Sequence, residues 1–379
     1  MIFRWSIMIN DKNPGLYVHV PFCRSKCPYC DFYSHTDCSL IPFWLNALEK
    51  EIGFYQNQFP GFDTLYLGGG SPSILSEEQL GHLLEMIFDR FHFEPGTEIT
   101  IEVNPNDLNP GKLKRLCEKG VNRISLGVQS FDDQELLFLR RRHTAKDAEK
   151  ALIWIREAGF TNLGIDLIYS LPGQTTNQWL ANLEKTLKFK PEHLSCYQLT
   201  IAKGTLFYGL KEKGGLRPTS EEEEGLFFTT TSKFLEDQGY IHYEISNFAR
   251  KENYFSRHNQ KYWQRIPYLG LGPSVHSFQG NRRWWNFRSI TQYCQALEQG
   301  ILPVEEQEEL TEEQAQLEVI SLGLRTRAGL DLDRLGDSLN LEKTLSRLVE
   351  AQLVSVTNNR LVPTLKGFLL ADRLPLLFF

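Results

Sequence analysis

The chain has 379 residues, of which 41% are hydrophobic and 23% are charged. That length exceeds what a single hydrophobic core usually serves, so we expect one large domain and one smaller domain. The composition is that of a globular protein, and no apolar run is long enough for a membrane-spanning helix. A net charge of −6 argues against a general electrostatic attraction to nucleic acid.

The cysteine distribution favours metal binding over disulfide bonds. Seven cysteines are an odd number, and three of them lie within eight residues. Such a cluster suits a reducing compartment. The start of the chain, Met1–Asn10, has neither a long apolar run nor a cleavage site of small residues, so the sequence predicts a cytoplasmic protein.

Apolar, β-branched runs alternate with longer helical patterns along most of the chain, which is typical of βα units around a parallel sheet. Ser76 and Gln79 have the spacing of a helix-capping box, and Gly120 and Gly159 each follow a helical run. The predicted strands are Gly15–Phe22, Asp63–Gly68, Glu98–Asn104, Arg123–Gln129, Asn162–Tyr169 and His193–Ile201, with a later extended run over Tyr240–Asn247.

The pattern changes near Thr311 to short helices followed by a predicted hairpin, Leu353–Val356 with Arg360–Pro363. This arrangement resembles a winged-helix module. Because it lacks a basic cluster, we expect it to pack or to bind a partner rather than to bind nucleic acid. The apolar tail Leu374–Phe379 is expected to be buried, although contact with a membrane or a partner stays open. The predicted domains are residues 1–250, 251–310 and 311–379.

Cys23, Cys27 and Cys30 directly follow the first predicted strand, with C-x3-C-x2-C spacing. Three soft ligands in one loop suit iron–sulfur chemistry, whereas structural zinc usually has four ligands from two paired knuckles. Three ligands to a [4Fe–4S] cluster leave one iron open. S-adenosylmethionine (SAM) can coordinate that iron, accept an electron and form a radical.

These residues and their flanks resemble the radical-SAM superfamily, and further segments sharpen the resemblance to its coproporphyrinogen-dehydrogenase-like branch. Within that branch the chain is most similar to the HemW-type heme chaperones, and the resemblance covers nearly the whole chain. It implies an α/β fold: a partial (β/α)6 barrel of the TIM type with a smaller α+β winged-helix-like domain. The implied cofactors are a [4Fe–4S] cluster, SAM and heme.

The second predicted strand ends in a glycine turn containing Gly69, Gly70 and Ser71. Glycines expose backbone N–H groups and let a ligand approach closely, although an ordinary strand-to-helix turn uses similar residues. The resemblance implies that this turn contacts the methionine amino group of SAM.

Two carboxylates, Glu102 and Asp166, lie within apolar predicted strands, where a buried charge is costly without a partner. A salt bridge or an edge-strand position would also explain Glu102, and Asp166 likewise needs a hydrogen-bond donor. The resemblance implies that Glu102 faces the ribose of SAM and that Asp166 belongs to the same site.

Four further residues are assigned to the cofactor site by the resemblance alone. Gln129 ends a strand and Arg141 follows in a basic run, and the family has a glutamine and an arginine there that contact SAM. Tyr17 matches a tyrosine over the SAM end of the cluster, and Tyr29 lies within the cysteine motif. A solvated basic run and core packing are the alternatives.

His258 begins the string His-Asn-x-x-Tyr-Trp, which is characteristic of the HemW branch. We therefore interpret it as a heme contact. On chemistry alone, a single histidine is more often a hydrogen-bonded core residue.

Heme delivery is favoured over porphyrinogen oxidation by two departures from the authentic dehydrogenase. That enzyme has a fourth cysteine where this chain has Phe32, and a longer arm before its cluster motif than the 22 residues that precede Cys23. The expected partners are heme and acceptor hemoproteins such as respiratory cytochromes, with no nucleic acid; a homodimer and a peripheral membrane contact stay open. The alternatives are coproporphyrinogen decarboxylation, radical methylation, and a DNA-binding regulator with a sensing cluster.

Overall fold

The computed structural model describes residues 12–335 and 341–378. Met1–Asn10, the segment behind the targeting interpretation, lies outside these ranges, as does the last residue of the apolar tail, Phe379. Within the described ranges no helix is both long enough and apolar enough to span a lipid bilayer.

Six parallel strands form the middle of a large sheet, with at least one helix in each connection. The strands are β1 Gly15–Val20, β2 Phe62–Gly69, β3 Phe93–Val103, β4 Arg123–Gln129, β5 Leu163–Tyr169 and β6 His193–Gln198. The helices are α1 Ile41–Tyr55, α2 Glu77–Arg90, α3 Pro110–Glu118, α4 Asp133–Phe138, α5 Ala145–Glu157 and α6 Thr176–Leu187. The predicted partial (β/α)6 barrel is confirmed.

The barrel interior is unusually polar. Along β1, Leu16 and Val18 belong to the main hydrophobic core and are completely buried, while Tyr17 and His19 alternate with them on the other face. Comparable TIM barrels fill the interior with branched aliphatic side chains. Here polar side chains of the barrel strands, such as Glu102 on β3, take those interior positions and line a cavity.

One predicted strand is wrong. The run Tyr240–Asn247 is not a single extended segment, because the chain turns back within it and forms a hairpin that packs antiparallel on β6. The two strands of the hairpin are β7 Ile241–Glu244 and β8 Asn247–Ala249. Two helices, α7 Leu206–Glu212 and α8 Glu221–Asp237, lie between β6 and the hairpin in the chain. The hairpin thereby closes one end of the sheet.

Four short strands that the sequence analysis did not predict extend the opposite edge, beginning with a strand that pairs in parallel with β1. They are β9 Tyr268–Leu271, β10 His276–Gln279, β11 Arg282–Asn286 and β12 Val304–Glu309, and two helices accompany them, α9 Arg257–Trp263 and α10 Ile290–Glu298. The sheet therefore has twelve strands in the described part of the chain.

The C-terminal segment has a core of its own and a three-stranded antiparallel sheet. Its elements are α11 Glu312–Gly323, β13 Leu330–Asp331, α12 Leu341–Glu350, β14 Val354–Thr357, β15 Arg360–Pro363 and α13 Leu365–Phe368. The predicted hairpin is confirmed: Asn358 and Asn359 have φ of 51° and 59°, as a two-residue primed turn requires. In the tail, Leu374 is buried whereas Leu376 and Leu377 are exposed. The boundaries at 250 and 310 stay a prediction.

The C-terminal segment covers the free edge of β7. Ile245 N–H donates to the Arg325 carbonyl at 3.2 Å, and Arg327 N–H donates to the Tyr243 carbonyl at 3.0 Å. The Arg325 guanidinium also donates to the buried carboxylate of Glu244 at 3.3 Å. An edge strand covered in this way is protected from pairing with another chain.

Candidate functional site

The loop after β1 carries the three motif cysteines, and its two ends are held together. Cys23 N–H donates to the His35 carbonyl at 3.0 Å, and His35 N–H donates to the Pro21 carbonyl at 2.7 Å. Between these ties, Cys30 N–H closes a turn on the Cys27 carbonyl. The thiols are partly buried and line one cavity of about 430 Å³. The loop thus presents all three sulfurs to the same space.

The donor set fits a cluster better than a zinc ion. Within residues 12–335 and 341–378, no three His, Cys, Asp or Glu side chains are close enough together to hold one metal ion. A [4Fe–4S] cluster needs the three cysteines to bind three different irons, so their sulfurs need not converge on one point as zinc ligands do. Burial raises the pKa of the Cys23 thiol to about 11, so cluster assembly has to release thiol protons.

The cavity lies at the carboxyl ends of the barrel strands, where ligands bind in such folds. Most residues that the sequence analysis assigned to the cofactor site line it. They are Cys23, Cys27, Cys30, Tyr29, Gly69, Gly70, Ser71, Glu102, Gln129, Arg141 and Asp166. The tertiary structure therefore gathers residues from the cysteine loop and from four strands into one site.

The glycine turn packs directly against the cysteine loop. Gly70 N–H donates to the Val20 carbonyl at 2.9 Å, and Gly69 has φ of 108°, which favours glycine. A Cβ added at Gly70 would lie 2.6 Å from the Phe22 carbonyl oxygen. Ser71 Oγ accepts a hydrogen bond from Asn104 Nδ2 at 2.7 Å. The turn can approach the loop this closely because Gly69 and Gly70 have no side chains.

We expect Gly70→Ala to destabilise the fold by about 1–3 kcal/mol, because the new methyl group meets rigid backbone. Urea unfolding would measure this loss. Gly53→Ala is the matched control: a Cβ there has no neighbour within 4 Å, so replacing this helical glycine is expected to be neutral or slightly stabilising. Equal stability of the two variants would contradict the prediction.

Arg141 connects the cysteine loop to β4. Its Nη1 lies 3.6 Å from Cys27 Sγ, and its Nη2 donates to the Gly127 carbonyl at 2.8 Å and to Asn104. The buried Nε has no acceptor among the described residues. A buried donor without a partner is costly, so this nitrogen suits an acceptor such as a ligand carboxylate. Gln129 lines the same cavity at the end of β4, with φ of 67°.

Glu102 and Asp166 are partly buried carboxylates that line the cavity in the barrel interior. Glu102 accepts hydrogen bonds from Tyr66 Oη at 2.8 Å and from Gly69 N–H at 3.2 Å, while Asp166 accepts from Ser125 Oγ at 3.0 Å. Burial raises the pKa of Glu102 to about 7 and also raises the pKa of Asp166. A ligand group that donates hydrogen bonds or carries positive charge would stabilise the ionised forms of these two carboxylates.

The affinity for SAM is expected to rise by about tenfold between pH 6 and pH 8. Glu102 has a raised pKa, so it is mostly protonated at the lower pH and mostly ionised at the higher one. If Glu102 faces the SAM ribose, its ionised form would accept hydrogen bonds from the ribose hydroxyls, which the protonated form does less well. Anaerobic calorimetry would measure the profile, and Glu102→Gln should flatten it. A profile unaffected by that substitution would contradict the role of Glu102.

Two predicted contacts are not among the cavity-lining residues. Tyr17 lies between two histidines. Its Oη is 3.2 Å from His19 Nδ1, and the centroid of its ring is 6.2 Å from the centroid of the His258 ring. His258 is buried; its Nδ1 and Nε2 lie 2.9 Å from Thr64 Oγ1 and Tyr262 Oη. Neither nitrogen of His258 is free to ligate iron in this arrangement. In this arrangement His258 is a hydrogen-bonded core residue, and its role as a heme contact stays a prediction.

The sequence analysis missed a polar network at the cavity mouth. Asp107, which follows β3, contacts Arg24 of the cysteine loop, Arg142 and the serines of the glycine turn. Near Asp107 in the sequence, the only feature that could have indicated this network is the polar run that follows β3. The partners lie 83 and 35 residues away, too far for any spacing argument to join them.

Comparison with known proteins decides the family. Residues 17–185 match the model of the radical SAM superfamily, and residues 310–370 match that of the HemN C-terminal domain. The heme chaperone HemW of Bacillus subtilis is 36% identical over 94% of this chain and 96% of its own length. The chain belongs to the HemW family. HemW of Mycobacterium tuberculosis is 34% identical over 94% of this chain and 93% of its own.

This chain shares its fold with a protein of known structure, the radical-SAM coproporphyrinogen III oxidase HemN of Escherichia coli. The two structures superpose with a TM-score of 0.83 over 97% of this chain and 90% of HemN, at 26% identity. The predicted resemblance is thereby confirmed. Membership of the radical-SAM superfamily implies a [4Fe–4S] cluster and SAM, and the cavity described above has the donors for both.

Proposed function

We propose that this protein is a radical-SAM heme chaperone that binds heme and delivers it to hemoproteins in the cytoplasm, respiratory cytochromes among them. The observation that carries the proposal is the similarity to HemW heme chaperones, which extends over 94% of the chain. It includes both the cysteine-lined cavity and the C-terminal segment.

The cavity residues have distinct roles in this proposal. Cys23, Cys27 and Cys30 would hold the cluster, and the glycine turn and Arg141 line the same cavity. When bound, the cluster can supply the electron that cleaves SAM. Arg141 Nε binds the SAM carboxylate because this donor is otherwise unpartnered among the described residues. Glu102 accepts from the ribose. We also propose that Gln129 and Asp166 complete the SAM site.

A heme titration tests the proposal. The protein is reconstituted with iron and sulfide under anaerobic conditions, and heme is added while the Soret band is recorded. We expect a stoichiometric shift, followed by transfer of the heme to an apo-cytochrome. A missing shift, or a failure of transfer from the loaded protein, would contradict the chaperone function.

Porphyrinogen oxidation is the second candidate, favoured by the close structural similarity to HemN. The reconstituted protein would be incubated with SAM, a reductant and coproporphyrinogen III. Formation of protoporphyrinogen would make the protein an oxidase. Position 32 argues against that outcome, because the dehydrogenase pattern has a cysteine where this chain has an exposed phenylalanine.

A further inference from the structure

Asp107 holds two arginines side by side at the cavity mouth. One carboxylate oxygen lies 3.3 Å from Arg24 Nε and 3.4 Å from Arg142 Nη1. The other oxygen lies 3.4 Å from Ser71 Oγ and from Ser73 Oγ. The Asp107 side chain is only 2% exposed, so its position is fixed by these contacts and by the core around it.

The two arginines have donors to spare. A guanidinium carries five N–H groups, and the side chains of Arg24 and Arg142 are 56% and 37% exposed at the rim. A single carboxylate faces two guanidinium charges, which leaves an excess of positive charge. Lys26 and Arg140 line the same cavity and add to that excess, which Asp31 of the cysteine loop offsets only in part. Such a rim attracts a carboxylate ligand, which guanidinium groups bind with two parallel hydrogen bonds.

An apolar surface adjoins this positive rim. Phe32 lines the cavity two residues after the last motif cysteine, and it is 65% exposed. Lys26 Nζ donates to the Phe32 carbonyl at 3.3 Å, so the backbone of Phe32 adjoins the basic rim. An exposed aromatic side chain next to unpaired cationic donors suits a ligand that has a flat apolar body and carboxylate arms.

We propose that Arg24 and Arg142 bind the propionate carboxylates of heme, whose macrocycle lies against Phe32 at the cavity mouth. This inference rests on the proposed heme-chaperone function and specifies where the heme lies. Asp107 acts as a positioning residue: it sets the spacing and orientation of the two guanidinium groups without touching the ligand. Heme would then sit at the mouth of the same cavity whose inner residues hold SAM.

The decisive comparison uses the unaltered protein with two ligands, iron protoporphyrin IX and its dimethyl ester. The ester has the same macrocycle and iron but no propionate charge. We expect the ester to bind about tenfold more weakly, as loss of charge-assisted hydrogen bonds predicts. Equal dissociation constants for the two ligands would overturn the proposal. This arm does not depend on any variant folding.

The second arm uses the double variant Arg24→Gln/Arg142→Gln. Heme binding should weaken by about tenfold, binding of the ester should stay unchanged, and the affinity for SAM should stay within twofold. Arg24→Lys/Arg142→Lys, which keeps both charges, should recover part of the affinity. The matched control is Arg217→Gln/Arg347→Gln, two exposed arginines that do not line the cavity. An equal loss in the control would overturn the proposal.

The outcomes separate this inference from the function on which it rests. If the unaltered protein shows no Soret shift, the chaperone function fails and this inference fails with it. If the protein binds heme and the double variant binds it equally well, the chaperone function stands and the arginine site is wrong. Weaker SAM binding with unchanged heme binding would reassign the arginine pair to the cofactor.

Discussion

Replacing any one of Cys23, Cys27 or Cys30 with alanine is expected to reduce cluster iron to a small fraction of the unaltered protein's content. Each sulfur would bind a different iron, so a missing thiolate would leave two irons without a protein ligand. Among the described residues no further cysteine lines the cavity. Iron and sulfide analysis, together with the absorbance near 400 nm, would measure the loss after anaerobic reconstitution.

Cys117→Ala is the matched control for the cysteine series, because this thiol is exposed on α3 and lies outside the cavity. It should keep the full iron content. All four variants should unfold at similar denaturant concentrations when no cluster is present, because the motif thiols are only partly buried. Full iron content in any motif variant, or stoichiometric zinc in the unaltered protein, would contradict the cluster assignment.

Glu51→Ala is expected to lower the free energy of unfolding by about 3–5 kcal/mol. The Glu51 carboxylate on α1 is completely buried and accepts from Gly272 N–H at 2.8 Å, from Tyr293 Oη at 2.6 Å and from Asn286 Nδ2 at 2.5 Å. Alanine would leave Gly272 N–H and Tyr293 Oη without this acceptor, and Asn286 Nδ2 would keep only its hydrogen bond to the Gly272 carbonyl at 2.9 Å. Urea unfolding at pH 8 would measure the change.

The pH dependence provides a second test of Glu51. Burial raises its pKa to about 7 in the folded protein, above its ordinary value of 4.5. Ionisation therefore costs stability: the penalty is absent below the ordinary value and complete above the folded value. Stability should fall as pH rises from about 5 to 8, and Glu51→Gln should lessen that fall.

Glu49→Ala is the control, since Glu49 lies on the exposed face of the same helix. Its effect should stay within about 0.5 kcal/mol. A similar small effect of Glu51→Ala would show that water replaces the carboxylate without loss, and would remove Glu51 from the set of residues that stabilise the fold.

The barrel strands and the cluster loop could be predicted because their signals are local. β4 matches the predicted strand Arg123–Gln129 residue for residue, and the capping box at Ser76 forms as its spacing predicts. Gly120 and Gly159 both adopt positive φ after their helices. Each of these features depends on neighbours within a few residues, where backbone geometry and hydrogen-bonding capacity decide the outcome.

The short strands β7 to β12 were missed or misread because their pairing partners supply most of their stability. β9 has only four residues and pairs with β1, about 250 positions earlier in the chain. His258 shows the same limit for a single side chain. Its motif suggested a ligand, whereas long-range contacts with Thr64 and Tyr66 place it in the core.

The sequence by itself determined the chemistry: three thiols at a fixed spacing after a strand, and the fold class of alternating strands and helices. Only the tertiary structure decided which distant groups meet. In the folded chain Arg141 contacts Cys27, and two arginines contact Asp107. Glu51 accepts hydrogen bonds from donors more than 200 residues away in the sequence. The physical reason is that ligand type and local conformation are properties of short segments, whereas burial and electrostatic environment depend on the packing of the whole chain.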